Sequence, residues 1–116
     1  MRHDDRTINI LVSRKKLEWV AYNHKLTAHA EAQMMRRDTS LNFDLKERIL
    51  NSPLAWKTAS GCIAIALDLY NYIVVNADTG DKNPAIVVTF VNVEERGISV
   101  IDKMLMSYRE IYKKSN

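Results

Sequence analysis

The hydrophobic period of the chain changes near residue 56 and changes back after residue 97. In "SRKKLEWVAYNHKL", Leu17, Val20, Tyr22 and Leu26 keep a helical spacing that breaks at a turn near Asn23. Thr27 is placed to cap the next helix, over 28–37, because its hydroxyl accepts a hydrogen bond from a free backbone N–H. On that helix Ala28, Ala32 and Met35 form an arc suited to packing inward. "DTSLN" supplies turn and cap residues. "FDLKERILNS" then predicts a short helix with Leu45, Ile49 and Leu50 inward and Asp44 near its positive end. Asn51, Ser52 and Pro53 stop it.

In "WKTASGCIAIALDLYNYIVVN" the period falls to two, with Ile63, Ile65, Leu67 and Leu69 alternating among β-branched and aromatic neighbours. The stretch is too long for one strand, so a reversal is expected near 68–71. "NADTGDKNP" reads as a loop, "AIVVTFVNV" as a strand and Glu94 to Gly97 as a turn. "ISVIDKMLMSYREIYKK" predicts a closing amphipathic helix with Ile101, Met104, Leu105, Tyr108 and Tyr112 along one stripe. The expected fold class is therefore α+β: N-terminal helices, a three- to four-stranded antiparallel sheet over about 56–93, and a C-terminal helix.

Composition narrows this without redirecting it. At 116 residues, 47% apolar and 27% charged, the chain is expected to form a single domain with a modest core. No repeat or long linker divides it. Its net charge of +3 is compatible with an anionic partner and does not require one. Cys62, the one cysteine, lies in "GCIAIAL" and reads as a small buried hydrophobe rather than a reactive thiol. The apolar run within "MRHDDRTINILVS" is shorter than a signal peptide or a membrane span needs, so a cytoplasmic protein without membrane contact is expected.

Candidate chemistry concentrates in "HAEAQMMRRD". At about 100° per residue, His29, Gln33 and Arg36 fall within an arc of roughly 60°, with Arg37 beside them. Read alone, this is a solvated helix face with a surface or capping histidine. Read for chemistry, it is a phosphate-handling face with a proton-transfer group at its head. His3, Asp4 and Asp5 are too local to suggest a metal site, and no HExxH pattern or phosphate-cradling glycine loop occurs, so neither metal nor cofactor is expected. His24 reads as a helix-end residue. Trp19, Tyr22, Tyr70 and Tyr72 have the rings to stack bases, but packing accounts for most of them.

"TAHAEAQMMRRDTSLNFDLKERILNSP", "WKTASGCIAIALDLYNYIVV" and "PAIVVTFV" together resemble small domains related to RelE-type ribonucleases. That group takes in RelE-type toxins, colicin-type transfer-RNA nucleases and toxin domains of contact-dependent inhibition systems. The resemblance covers about 27–91, with 1–26 and 98–116 as extensions packed on it. In those domains a helix opens with a histidine and carries arginines one to two turns later. A second helix and an antiparallel meander follow, and the last strand contains a threonine. His29, Arg36 with Arg37, and Thr89 stand in those places. "RRDTS" lacks the glycine usual in the turn after the arginines.

The resemblance implies RNA cleavage without a metal, by attack of a ribose 2′-hydroxyl on the adjacent phosphorus. His29 would move a proton, the task for which histidine is the commonest side chain. Arg36, seconded by Arg37, would hold the phosphate oxygens through its planar fork. Thr89 would orient a phosphate or ribose. Gln33, Lys57, Thr58 and Ser60 are the further RNA-contact candidates, although Lys57 also reads as a solvated lysine and Ser60 with Gly61 as a turn. A toxin or an RNA-processing factor of a phage or mobile element would meet RNA and a protein inhibitor, an antitoxin or immunity protein. The alternative is a non-catalytic protein of the same fold that binds nucleic acid or a host protein.

Overall fold

The computed structural model describes residues 10–37, 44–80 and 82–114. The expected turn at "DTSLN", the first residue of "FDLKERILNS", and His3, Asp4 and Asp5 lie outside these residues, as does the side chain of Arg37. Four α-helices are described, α1 (Arg14–Tyr22), α2 (Ala28–Arg37), α3 (Leu45–Leu50) and α4 (Val100–Lys114), with a 3-10 turn at Glu94–Arg96. Five strands join them: β1 (His24–Leu26), β2 (Ala55–Lys57), β3 (Ile63–Ala66), β4 (Asn71–Asn76) and β5 (Ala85–Asn92). The α+β class is as the period changes predict.

The sheet differs from expectation in having five strands, in the order β1-β5-β4-β3-β2, with β1 parallel to β5 and the rest antiparallel. The helical spacing ends at Asn23, as its turn suggests, but the residues after it form a strand rather than more helix. Three residues carry no readable period. Their pairing of His24 with Ala85 and Leu26 with Val87 depends on chain some sixty positions away. His24 also closes α1: its Nδ1 lies 3.0 Å from the carbonyls of both Val20 and Ala21, two acceptors that require the proton on Nδ1.

Short polar links set the element boundaries. Ser13 caps α1 by accepting from the Lys16 amide at 3.1 Å. Thr27 caps α2 by accepting from the Ala30 amide at 3.0 Å, and its own hydroxyl donates to the Val88 carbonyl at 3.1 Å. At the β3–β4 reversal the Asp68 carboxylate accepts from the amides of Tyr70 and Asn71 and from the Asn71 side chain. Ser99 and Asp102 cap α4 reciprocally: Asp102 accepts from the Ser99 amide at 2.8 Å, and the Ser99 hydroxyl accepts from the Asp102 amide.

Both faces of the sheet are covered. Ile63, Ile65, Ile73, Val75, Val87 and Phe90 point toward α1, α2 and α3, meeting Leu17, Val20, Met34, Leu45 and Ile49. The alternate positions Trp56, Ala64, Ala66 and Tyr72 point toward Val100 and Met104 of α4. The alanines leave room on that face for the Trp56 and Tyr72 rings, whose centroids lie 5.4 Å apart at a tilt of 50°. The Trp56 indole N–H donates to the Ser107 hydroxyl at 3.1 Å, tying α4 to the edge strand.

Several inward faces differ from expectation. On α2 the buried residues are Ala30 and Met34, while Ala28, Ala32 and Met35 are exposed. Small or apolar residues span more than half of this helix's circumference, so its pattern leaves the rotation open. The Thr27 cap and the Gln33 contact described below fix it. On α1, Ala21 is buried and Tyr22 is exposed, with the Lys46 ammonium 4.7 Å from its ring centroid. On α4, Val100 rather than Ile101 begins the packed stripe, and Leu69 lies past the end of β3, half exposed.

Candidate functional site

His29 is exposed in the first turn of α2, and Arg36 is exposed in the last. Seven positions bring an α-helix back to within about 20° of its starting direction and advance it about 10.5 Å, so both belong to one stripe. The Arg36 Nε lies 3.5 Å from the Ala32 carbonyl of the same helix, a contact that uses one of the guanidinium's five N–H donors.

Gln33 and Thr89 are brought together. The Gln33 Oε1 accepts from the Thr89 hydroxyl at 2.7 Å and from the Phe90 amide at 3.1 Å. Local topology explains the contact. β1 pairs only with 85–87, so the rest of β5 turns an edge outward beyond it. A β-bulge between its partners Val74 and Val75 leaves Val88 as the extra residue of β5. The Thr27 hydroxyl occupies the Val88 carbonyl and Gln33 occupies the Phe90 amide. Side chains of Thr27 and Gln33 thus take over where β1 stops and occupy two groups of the edge that another strand would need.

Lys57, Thr58 and Ser60 do not join this group. They stand at and beyond the end of β2, on the opposite edge of the sheet from β1 and at the end where β5 begins. β5 and β2 are three strand spacings apart, roughly 14 Å. The β2–β3 hairpin there is closed by the Thr58 amide on the Cys62 carbonyl at 2.9 Å, with Gly61 at φ +89°. That is a three-residue loop needing one left-handed position, which glycine supplies without strain. The Thr58 hydroxyl lies 2.9 Å from that of Ser60 and accepts from the Cys62 amide at 3.1 Å. These hydroxyls brace the loop.

A cavity of about 510 Å³ opens beside that hairpin, lined by Lys57, Thr58, Cys62 and Ile63 together with Lys16 of α1 and Asp78 after β4. A smaller hollow of about 280 Å³ shares Lys16 and Asp78 and adds Trp19. Lys16 and Asp78 escaped the sequence reading. The "RKK" at the head of α1 and the "NADTGD" loop are each ordinary surface sequence, and only the fold sets them against Lys57. Cys62 is half-buried there as a free thiol. Among the described residues no group of three or more metal-ligating side chains occurs, and no helix is long and apolar enough to cross a membrane. No family model, curated protein or solved structure matches this chain.

Proposed function

We propose that the protein is a small metal-independent endoribonuclease of the RelE-like type, working through the exposed face of α2. The observation that supports this reading is the common stripe of His29 and Arg36 on a helix whose buried side packs Ala30 and Met34 against the sheet, while Gln33, within the stripe, links it to β5. A rigid helix holds a proton-transfer group and a phosphate-binding fork at constant separation, as catalysis by positioning requires.

In the proposed reaction the 2′-oxygen attacks phosphorus and the bond to the 5′-oxygen breaks. This leaves a 2′,3′-cyclic phosphate and a 5′-hydroxyl. His29 takes the 2′-proton or supplies the one the leaving oxygen needs, and water handles the other transfer. Arg36 binds the phosphate oxygens as negative charge builds on them. Thr89, its hydroxyl proton directed to Gln33, acts through the helix it anchors and not on the phosphate. An inhibitor protein would work by covering this face.

The second reading, a non-catalytic surface for nucleic acid or a host protein, draws on the same Gln33–Thr89 bond, which commits two polar side chains to each other. Incubation of the purified protein with RNA in a chelator separates the two. Fragments ending in 2′,3′-cyclic phosphate support the nuclease, and retention of intact RNA supports the binding surface. Neither cleavage nor retention overturns the nuclease and leaves only a protein partner for this face.

A further inference from the structure

The cleft beside the β2–β3 hairpin takes no part in the proposed reaction, and its construction resembles a small-molecule site. Its volume of about 510 Å³ lies within the range of roughly 300–1,000 Å³ typical of ligand pockets. Its walls combine Ile63, Ala59 and Ala77 with a small set of polar groups from separate elements: Lys16 from α1, Lys57 from β2, Thr58 from the hairpin and Asp78 from the loop after β4. Two ammonium groups against one carboxylate leave the mouth net positive.

The lysines differ in how they are held. The Lys16 ammonium rests 4.5 Å from the centroid of the Trp19 ring, and Lys16 is common to the cleft and the adjoining hollow. A cation held on an aromatic face has already given up much of its rotamer freedom, so less is lost when an anion binds it. The Lys57 ammonium has no ion-pair or hydrogen-bond partner among the described residues and is free to close on a ligand from the other side. The braced hairpin gives the side of the cleft that carries Lys57 a fixed shape.

From this juxtaposition we infer that the cleft binds a small amphipathic anion, an apolar body bearing a phosphate or carboxylate. The oxyanion lies between Lys16 and Lys57, and the apolar body lies against Ile63, Ala59 and Ala77. The inference is independent of the α2 nuclease face, on the other edge of the sheet.

Phenyl phosphate, benzoate and inorganic phosphate are the probes, titrated at low salt into the full chain while backbone amide resonances are followed by nuclear magnetic resonance. Saturable shifts at Thr58, Gly61, Cys62, Ala77 and Asp78 are expected with phenyl phosphate or benzoate, with little change in α2. The aromatic probe that binds more tightly identifies the headgroup. Inorganic phosphate is expected to bind more weakly, because it leaves the apolar wall uncovered. Lys16→Gln and Lys57→Gln should each weaken binding by about tenfold or more, the worth of one charge-assisted hydrogen bond. Both side chains are solvent-accessible, so the variants are expected to fold, and an unchanged amide spectrum in the absence of probe checks this. Absence of saturable binding by both aromatic probes overturns the inference. So does binding that survives both substitutions, or shifts centred on α2.

Discussion

Gln33 and Thr89, 56 positions apart in the chain, share a hydrogen bond of 2.7 Å, and the same Gln33 oxygen takes the Phe90 amide at 3.1 Å. One side-chain amide thus orients α2 and finishes the edge of β5. Gln33→Ala removes the acceptor for both donors and should destabilise the fold by about 1–3 kcal/mol. Thr89→Val should cost less, since Phe90 keeps its partner. In urea denaturation the double variant should lose less than the sum of the single losses, and additive losses would show that the contact is not energetically coupled. Hydrogen exchange at the Phe90 amide should quicken in Gln33→Ala.

The catalytic proposal makes a sharper demand. His29→Ala should lower the RNA cleavage rate by roughly 10²–10⁴-fold, the usual worth of positioned acid–base catalysis. Arg36→Ala should lose activity while remaining folded, and Arg36→Lys should restore only part, because an ammonium lacks the bidentate fork. RNA affinity should fall steeply with added salt as phosphate counterions are released. Both side chains are exposed, so thermal unfolding should match the parent. Parental cleavage by His29→Ala would remove the histidine from the mechanism.

Tyr72 should impose an alkaline limit on stability. Burial raises its hydroxyl pKa above the ordinary 10.0, and the nearby Arg96 guanidinium offsets this only in part. The folded protein therefore keeps the proton at pH values where the unfolded chain has released it. The resulting stabilisation is fully present below the unfolded value and is lost as pH rises through the folded one. Thermal melts across this window should show the parent losing stability faster than Tyr72→Phe. Phenolate absorbance should reveal one tyrosine titrating late.

The Trp56–Ser107 bond offers a test of how α4 is attached. Trp56 is 1% exposed, so Ser107→Ala leaves its indole N–H without this acceptor in a buried position. A loss of about 1–3 kcal/mol is expected, read as a lower urea midpoint. Ser107→Thr keeps the hydroxyl and should recover most of it. Equal midpoints for Ser107→Ala and the parent would mean that water or a shifted helix satisfies the indole.

Elements whose signals are local were legible in the sequence. Thr27 announced the start of α2, Asp68 and Asn71 the β3–β4 reversal, and alternating Ile63 and Ile65 the β3 face. β1 was not legible, because its three residues are a strand only by virtue of Ala85 to Val87. The rotation of α2 was equally hidden. Ala28, Ala30, Ala32, Met34 and Met35 make several faces plausible, and a glutamine bond to a distant backbone amide decides among them. For the candidate site, the common stripe of His29 and Arg36 follows from helical spacing alone. The separation of Lys57, Thr58 and Ser60 from that stripe depends on strand order, which no spacing encodes.

The parallel pairing of β1 with β5 has a consequence for how the chain acquires its shape. β2, β3 and β4 are joined by short reversals and can associate while neighbouring residues are still being added. β1, made long before them, has no strand to join until residues 85–87 exist. The Phe90 amide that Gln33 engages comes later still. The first segment of the sheet to be synthesised thus waits for one of the last, a non-local contact of the kind that slows folding because a long loop must close before it forms. Until then the helix carrying His29 and Arg36 has no sheet edge to lie on, so the proposed active face cannot assemble on a nascent chain that stops short of β5.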